Sequence, residues 1–449
     1  MSTTHIQISA EEQLLSYCKE NIATQDKKHC FYKAKLGAYE LFKRHGLPHV
    51  SNENWKYTNI SQKLKNIPLR SHDHSVPLNV NNFINNFDIM RKLKDTNDTV
   101  LVFMDGRMQE QLSLIYEKRN IEISALKDDV IPDWANKINN QKHSENRNEE
   151  FNLNTLLMED GALINVKKNN DGKAENVYIV HVGNNNGFFN YRHIINIEDH
   201  AQVNIIELKI SNKADIDALY TSSIIWAIGD HCVVNNVKYQ AHNQITIGFN
   251  QQYADIGSDT EFNSFTISSG SKLLREFRDI NCNGSNSNIS ISGVNLLDGN
   301  SHIDTLLSVR HKAPNTVSRE KYKSIINDNA KGVFQGNIIV DQIAQKTIAK
   351  QSIDALILSS HAEHDAKPEL EIYADDVQCG HGATTGQINQ DSLFYLKSRG
   401  IPEDEARRLL VHAFLTDALD EIKDKNILET FGDVMINMLN RVSKGNLNV

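Results

Sequence analysis

Turns rich in Gly, Asn, Asp and Ser recur at a nearly constant spacing through the centre of this 449-residue chain. Between residues 162 and 388 they separate short runs of β-branched residues, and no helical period of useful length interrupts the pattern. Most successive turns begin about 27 to 32 residues apart, and extra turns at Ser269-Gly270 and Asp298 fall near half that distance. The main turns begin at Glu198, Gly229, Gly257, Gly284, Asn327 and Ser359.

A turn at each period and another at half the period is what a flattened β-solenoid requires, because each coil reverses direction and stacks on the previous one. Each coil buries its inward side chains only where neighbouring coils cover them, which accounts for a long β region with few strongly hydrophobic runs. A β-sandwich also has frequent turns, but the wider spacing favours the solenoid. The sequence therefore predicts a mainly β protein with a β-solenoid core.

The two ends of the chain carry helical patterns. Ser9 and Glu12 have the spacing of a capping box, and apolar residues then recur at helical intervals as far as Gly46. Near the other end, Pro402 precedes an acidic first turn, which is typical of a helix N-terminus. Two apolar stripes follow. The first comprises Leu409, Leu410, Ala413, Phe414, Ala418 and Leu419, and the second comprises Ile427, Leu428, Phe431, Val434, Met435, Met438, Leu439 and Val442.

These patterns divide the chain into four expected parts. An N-terminal helical domain covers residues 1–95, and a connecting β/helix segment covers residues 96–160. The solenoid core covers residues 161–388, and a C-terminal helical domain covers residues 389–449. Within the connecting segment, the charged stretch 141–150 is expected to be a solvated connection.

Charge and composition exclude several functions. Acidic residues outnumber basic ones by 57 to 48, and the net charge of −9 argues against nonspecific binding of nucleic acid or anionic lipid. No apolar run approaches the roughly 20 residues that a membrane-spanning helix needs. The first residues lack a signal-peptide pattern, so we expect a cytoplasmic protein. The sequence has no G-x-x-x-x-G-K-[S/T] motif, which excludes nucleotide hydrolysis by a P-loop.

The candidate metal ligands are cysteines and histidines. Five cysteines lack C-x-x-C spacing, so we expect free, mostly buried thiols and no cluster site built by this chain alone. His361, His364 and Asp365 could ligate a metal, but residues three apart on a strand point to opposite faces, which favours a structural role. Cys379 and His381 are two apart, so an extended strand would project both to one side. A thiolate beside an imidazole suits iron or zinc and leaves coordination positions for a second protein. From the residues alone, a purely structural role is the commoner explanation of such a pair.

A long run from Lys367 to Val377 leads into this pair, which is followed by Gly382-Ala383-Thr384. The run strongly resembles the SufB/SufD family of the SUF iron–sulfur cluster assembly system. The likeness is dense over about residues 306–431 and sparser but collinear elsewhere. Supporting stretches are Asn54 to Thr58, Arg310 to Pro314, Gly332 to Gly336, Gln345 to Thr347 and Leu393 to Ile401.

The resemblance implies a right-handed parallel β-helix between helical domains. It implies pairing with a SufB-like scaffold and docking of a SufC-like ATPase on the C-terminal helices. A transient iron–sulfur cluster would form at the interface with the scaffold, with His381 and Cys379 as metal ligands. The residues leave open whether a reduced flavin binds, and the open end of an isolated solenoid makes a homodimer an alternative assembly.

The chain resembles the SufD branch of the family more than the SufB branch. Scaffold-type sequences carry a glutamate after the matching histidine and a cysteine after the Leu-Phe-Tyr run, where this chain has Gly382 and Leu396. We therefore expect a non-enzymatic assembly subunit. One alternative is a SufB-like scaffold that binds the cluster itself, which the cysteine spacing disfavours. Another is a carbohydrate-active β-helix enzyme, although Asp375-Asp376 is the only adjacent acidic pair in the segment from Lys367 to Thr384.

Overall fold

Successive strands of the central region alternate between two facing sheets. The computed structural model describes residues 9–24, 31–64, 98–116, 120–128, 130–140, 149–169, 172–211 and 216–423. Its strands are β1 (Thr99–Met104), β2 (Arg107–Met108), β3 (Ile121–Ala125), β4 (Ala162–Val166), β5 (Glu175–Gly183), β6 (Gly187–Ile197), β7 (Gln202–Ser211), β8 (Ala218–Ile228), β9 (Val233–Ala241), β10 (Ile247–Ile256), β11 (Glu261–Ser269), β12 (Leu273–Cys282), β13 (Asn288–Leu297), β14 (His302–His311), β15 (Val317–Ile326), β16 (Lys331–Val340), β17 (Ile348–Ile357), β18 (Glu363–Ile372) and β19 (Gln378–Gly386).

From β4 onward each strand pairs in parallel with the strand two places later in the chain. One sheet, sheet A, has the order β19-β17-β15-β13-β11-β9-β7-β5-β1-β2, and the other, sheet B, has the order β18-β16-β14-β12-β10-β8-β6-β4-β3. Each coil therefore contributes one strand to each sheet, which confirms the β-solenoid. The sheets begin before residue 161, because β1 and β3 of the connecting segment already belong to them.

One corner of the solenoid explains most of the turn pattern. Where the chain passes from sheet B to sheet A, a residue with positive φ makes the reversal in six coils. Short polar side chains tolerate this left-handed conformation better than branched ones, which is why such turns are rich in Asn and Asp. These residues are His200, His231, Asp259, Asn286, Asn315 and Lys346.

The turns at Asp298, Asn327 and Ser359 lie at the opposite corner, where the chain passes from sheet A to sheet B. The sequence pattern thus combined two rows of turns into one series. It missed the turn at Pro314-Asn315, because proline and lysine there interrupt the Gly and Asp signal.

The interior between the sheets is partly hydrophobic and partly charged. Near the sheet B-to-A corner it is filled by branched and aromatic side chains such as Ile205, Trp226 and Ile291. Further along the same strands, Glu207 of β7 lies between Lys209, at 3.2 Å, and Lys238, at 3.6 Å. Burial alone would raise the pKa of Glu207, but these two ammonium groups lower it to about 2.

The helices that precede the solenoid pack on sheet B. They are α1 (Ala10–Thr24), α2 (Tyr32–His45), α3 (Ile60–Lys63), α4 (Asp133–Asn140) and α5 (Glu149–Leu157). The capping box is present, since the Ser9 backbone N–H donates to the Glu12 carboxylate at 3.0 Å and the Glu12 N–H donates to Ser9 Oγ at 3.2 Å. Gly46, with φ of 68°, ends α2.

The expectation that Glu150 lies in a solvated connection is wrong. Glu150 is in α5, is buried, and its Oε1 lies 3.3 Å from Nε of the buried Arg275. Burial raises the pKa of Glu150 to about 7, although Arg275 opposes the shift. A charged residue in a polar stretch can thus serve as the buried partner of a distant arginine, which local composition does not reveal.

Two helices follow the solenoid, α6 (Gln390–Ser398) and α7 (Glu403–Leu419). The acidic first turn begins α7 as expected. Its buried residues are Ala406, Val411, Leu415 and Ala418, which pack on the outer face of sheet A. The predicted stripe is therefore offset, because Leu409 and Ala413 are exposed. The stripe over residues 427–442 lies outside the described residues. None of the helices in the described ranges has the length and apolarity needed to cross a bilayer.

Candidate functional site

The last strand of each sheet lies at the same end of the solenoid, which we call the open end. It is formed by β18 of sheet B and β19 of sheet A. Each of these strands pairs on one side only among the described strands. Cys379 and His381 lie on β19, in register with Ala349 and Gln351 of β17.

Both candidate ligands face the interior of the solenoid. Their register partners Ala349 and Gln351 are buried. Cys379 packs beside Ile338 and Val340 of the facing sheet. Residues paired in register on adjacent parallel strands point to the same face, so His381 projects inward beside Cys379. The two-residue spacing therefore places the thiol and the imidazole on one side.

His381 is nevertheless exposed, because it belongs to the last coil at this end. Across the open end, His364 Nδ1 of β18 lies 2.8 Å from Thr385 Oγ1 of β19, so the two sheets touch at this point. Asp365 points to the outer face and pairs with Lys331 at 2.8 Å. His364 and Asp365 thus point to opposite faces.

The surroundings of Cys379 change the pKa of its thiol, even though the residue lies at an end of the solenoid. Burial raises the pKa of the Cys379 thiol, the Ala349 backbone N–H opposes this shift, and the Glu320 carboxyl adds a smaller increase. The thiol is therefore protonated near neutral pH, and a metal ion that binds its sulfur must displace that proton. Cys18, Cys232 and Cys282 are buried free thiols, whereas Cys30 lies outside the described residues.

A row of polar side chains stands directly behind His381 in the interior. Glu320 of β15, Gln351 of β17 and His381 of β19 are register partners. Glu320 and Gln351 are 2% and 4% exposed. Gly336 on the facing sheet leaves room for the Gln351 amide, since a Cβ atom there would overlap it. Sequence inspection missed this row, although the 31- and 30-residue offsets equal the coil period.

Three glycines leave much of the outer face of β19 without side chains. Gly380, Gly382 and Gly386 alternate with the inward residues, and a Cβ atom on any of them would meet no atom within 4 Å. These glycines therefore do not serve close packing within the described chain. Their spacing belongs to an edge strand and not to a dinucleotide-binding loop.

The stretch from Asn54 to Thr58 binds the outer face of sheet B. Trp55 is buried, and the Arg275 guanidinium lies 4.7 Å from its ring centroid. The Asn54 carbonyl accepts hydrogen bonds from Arg275 at 2.6 Å and Gln335 at 3.1 Å. Glu53 just before it pairs with Lys367 of β18 at 2.6 Å. This stretch therefore connects the N-terminal helices to the last coil.

The C-terminal helices carry three large apolar side chains that are exposed, which together we call the exposed patch. Phe394 and Tyr395 of α6 are 73% and 56% exposed, and Leu409 of α7 is 47% exposed. Leu396, by contrast, packs with the sheet A cluster. These exposed apolar side chains make the C-terminal helices a candidate binding surface.

Within the described ranges, no cluster of three or more His, Cys, Asp or Glu side chains is placed to hold a metal ion. Cys379 and His381 are thus a pair of candidate ligands at the open end, with Asp375 and Asp376 exposed in the turn before them.

Comparison with known proteins covers nearly the whole chain. A family profile described as "SUF system FeS cluster assembly, SufBD core domain" matches residues 178–414, and one described as "SufBD protein N-terminal region" matches residues 8–174. The Iron-sulfur cluster assembly protein SufD of Escherichia coli is 29% identical over 399 residues, which are 86% of this chain and 87% of that protein. The SufD protein of Bacillus subtilis is 29% identical over 278 residues, 60% of this chain and 62% of that protein.

A cyanobacterial relative from Synechocystis, an iron-sulfur cluster assembly SufBD family protein, is 29% identical over 406 residues, with 86% of each chain covered. The N-terminal profile covers helices α1 to α5, and the core profile covers most of the solenoid and reaches into α7. The chain is therefore a SufD-type member of the SufB/SufD family, with a role in SUF iron–sulfur cluster assembly.

Proposed function

We propose that this chain is the non-enzymatic SufD-type subunit of a cytoplasmic complex with a SufB-like scaffold and a SufC-like ATPase, and that a nascent iron–sulfur cluster forms where its open end meets the scaffold. The observation that carries the proposal is the position of His381, which faces the solenoid interior and yet is exposed. The cluster is cargo here, held while it is built and then passed on.

His381 supplies a nitrogen ligand to the iron. A neutral imidazole can ligate iron directly. An imidazole ligand raises the reduction potential of a cluster relative to a thiolate, which suits a cluster that leaves the complex. Cys379 is two residues away on the same face and supplies sulfur once its proton is displaced.

The scaffold docks at the open end. β18 and β19 expose backbone N–H and C=O groups along their outer edges, and such edges pair readily with strands of another chain. Interior side chains such as Leu370 and Ile372 are incompletely covered there. A second solenoid would cover these side chains and enclose His381. In an isolated chain the same edges support a homodimer.

The ATPase docks on the C-terminal helices. The exposed patch formed by Phe394, Tyr395 and Leu409 lies on α6 and α7, on the outer side of sheet A. A partner bound there would be connected to β19, because only Gln387 to Asn389 separate β19 from α6. Nucleotide-driven movement at the helices would thus be transmitted to the strand that carries His381.

The test is His381→Ala in the co-expressed three-protein complex. We expect the complex to purify with unchanged stoichiometry and its iron and sulfide content to fall to background. His361→Ala is the matched control, since His361 is an exposed histidine at the same end of the solenoid. An unaltered cluster yield in His381→Ala would remove the proposal.

Anaerobic purification of the lone chain and of the complex separates the alternatives. Brown colour only in the complex supports the proposal. Colour in the lone chain would favour a SufB-like scaffold that binds the cluster itself, and polysaccharide cleavage would favour a β-helix enzyme. A flavin absorbance spectrum in the same samples decides whether reduced flavin binds.

A further inference from the structure

The residue directly behind His381 in the interior is Gln351. Both Gln351 and the next residue in the row, Glu320, are more than nine-tenths buried. Neither the amide atoms of Gln351 nor the carboxyl oxygens of Glu320 make a hydrogen bond of ordinary geometry with a described residue. Buried polar atoms without partners are costly, so their retention in the interior indicates a role.

The spacing of the coils brings such register partners within hydrogen-bonding distance. On the outer face of sheet A, side-chain amides bond from coil to coil at 2.9 Å for Asn204 to Asn176 and for Asn235 to Asn204. In the interior, Ser264 bonds its register partner Asn236 at 3.1 Å. A side chain one coil away is therefore a normal partner in this solenoid.

The strands that carry Gln351 and His381 show the same contact on their other face. Thr384 Oγ1 of β19 donates to Asp354 of β17 at 2.5 Å, and these two residues are also register partners. Side chains of register partners on β17 and β19 can thus reach each other without movement of either strand. Gly336 opposite leaves the space in which the amide can turn.

We propose that Gln351 is a positioning residue for His381: its amide oxygen accepts the N–H of one ring nitrogen, so that the other nitrogen faces the open end with a free lone pair for iron. A ligating histidine usually donates its second N–H to an oxygen in this way, which fixes the tautomer and the ring orientation. This inference rests on the proposed role of His381.

Glu320 sets the direction of the amide. A carboxyl group offers an accepting oxygen in either protonation state, so it takes a hydrogen bond from the Gln351 NH₂ group. The Gln351 oxygen then points toward His381 and not away from it. Burial raises the pKa of the Glu320 carboxyl, and the nearby Ser318 and Gln351 side chains oppose this shift. The hydrogen bonds of the row are therefore donated in one direction, from His381 to Gln351 and from Gln351 to Glu320.

The test combines a tautomer measurement and a cluster measurement. The lone chain, labelled with ¹⁵N-histidine, is studied by NMR, with the His381 signals assigned from their loss in His381→Ala. We expect one tautomer to dominate in the wild type, and Gln351→Leu to return the ring to the mixture of a free imidazole. Gln351→Glu keeps an accepting oxygen at the same length, so it should restore the single tautomer. Ser352→Ala, on the opposite face of β17, is the control.

In the assembled complex, Gln351→Leu should lower the cluster content about tenfold, the usual effect of removing a partner of a metal ligand, and Gln351→Glu should restore it. An unchanged tautomer ratio in Gln351→Leu overturns the inference, as does a loss of cluster that Gln351→Glu does not repair. If His381→Ala keeps its cluster, the proposed function fails, but the tautomer ratio still decides whether Gln351 orients the ring.

Discussion

At the scale of single residues, the position of a side chain in the coil determines its chemistry. Cys379 and His381 face the interior, but only the last coil leaves such a pair open to a second protein. The two-residue spacing was sufficient to predict their common face. The row of polar residues behind them could not be predicted from the sequence, because Glu320 and Gln351 lie in other strands. The register that aligns them depends on how the coils stack.

Glu320 gives a prediction at this scale. Burial raises the pKa of its carboxyl to about 8, from an ordinary value of 4.5. The folded chain therefore keeps a proton that the unfolded chain releases above pH 4.5, so the free energy of unfolding falls as pH rises from about 4.5 to 8. Glu320→Gln is neutral at every pH. In this variant the free energy of unfolding should not show the wild type's fall of about 1.4 kcal/mol per pH unit within that window.

The measurement is urea unfolding of both proteins between pH 5 and 8. Glu405→Gln, which changes an exposed carboxylate of α7, controls for the loss of one acidic group. Parallel pH profiles for the wild type and Glu320→Gln would show that the buried carboxyl does not hold its proton.

At the scale of elements, the sequence predicted the kinds of elements better than the faces they bury. The turn spacing predicted stacked coils, because every coil needs a reversal at each corner. The stripe on α7 was offset, since helical periodicity cannot show whether Leu409 or Val411 faces the sheet when both are apolar. Glu150 was misplaced because its partner, Arg275, lies 125 residues further along the chain.

Two leucines of α7 separate folding from binding. Leu415 is fully buried against sheet A, whereas Leu409 is exposed. We expect Leu415→Ala to lower the free energy of unfolding by roughly 2–5 kcal/mol, because it leaves a cavity. Leu409→Ala should change it by less than about 0.5 kcal/mol and should weaken capture of the SufC-like ATPase.

Denaturant unfolding and co-purification with the ATPase measure the two effects. Equal capture of the ATPase by Leu409→Ala and the wild type would contradict docking on the exposed patch. A large loss of stability in Leu409→Ala would show that α7 packs on the sheet by another face.

At the scale of the whole molecule, the solenoid positions two surfaces. The open end presents His381 and the edges of β18 and β19. The C-terminal helices carry the exposed patch, and α7 is fixed to the outer face of sheet A partly by Lys323 of β15, whose ammonium group lies 2.7 Å from Asp417. The family resemblance on the residues from Lys367 to Thr384 indicated a role in iron–sulfur cluster assembly, whereas the fold explains why those residues occupy a terminal coil. The N-terminal stretch at Glu53 also contacts this coil, through Lys367.

The most direct test is pulsed EPR on the reduced complex, assembled from unlabelled partners and this chain labelled with ¹⁵N-histidine. A directly bound imidazole gives the cluster a strong hyperfine coupling to ¹⁵N. A direct bond between His381 and iron predicts that this coupling is present in the wild-type chain and absent in His381→Ala. A cluster of normal yield that shows no ¹⁵N coupling from the labelled chain would contradict it.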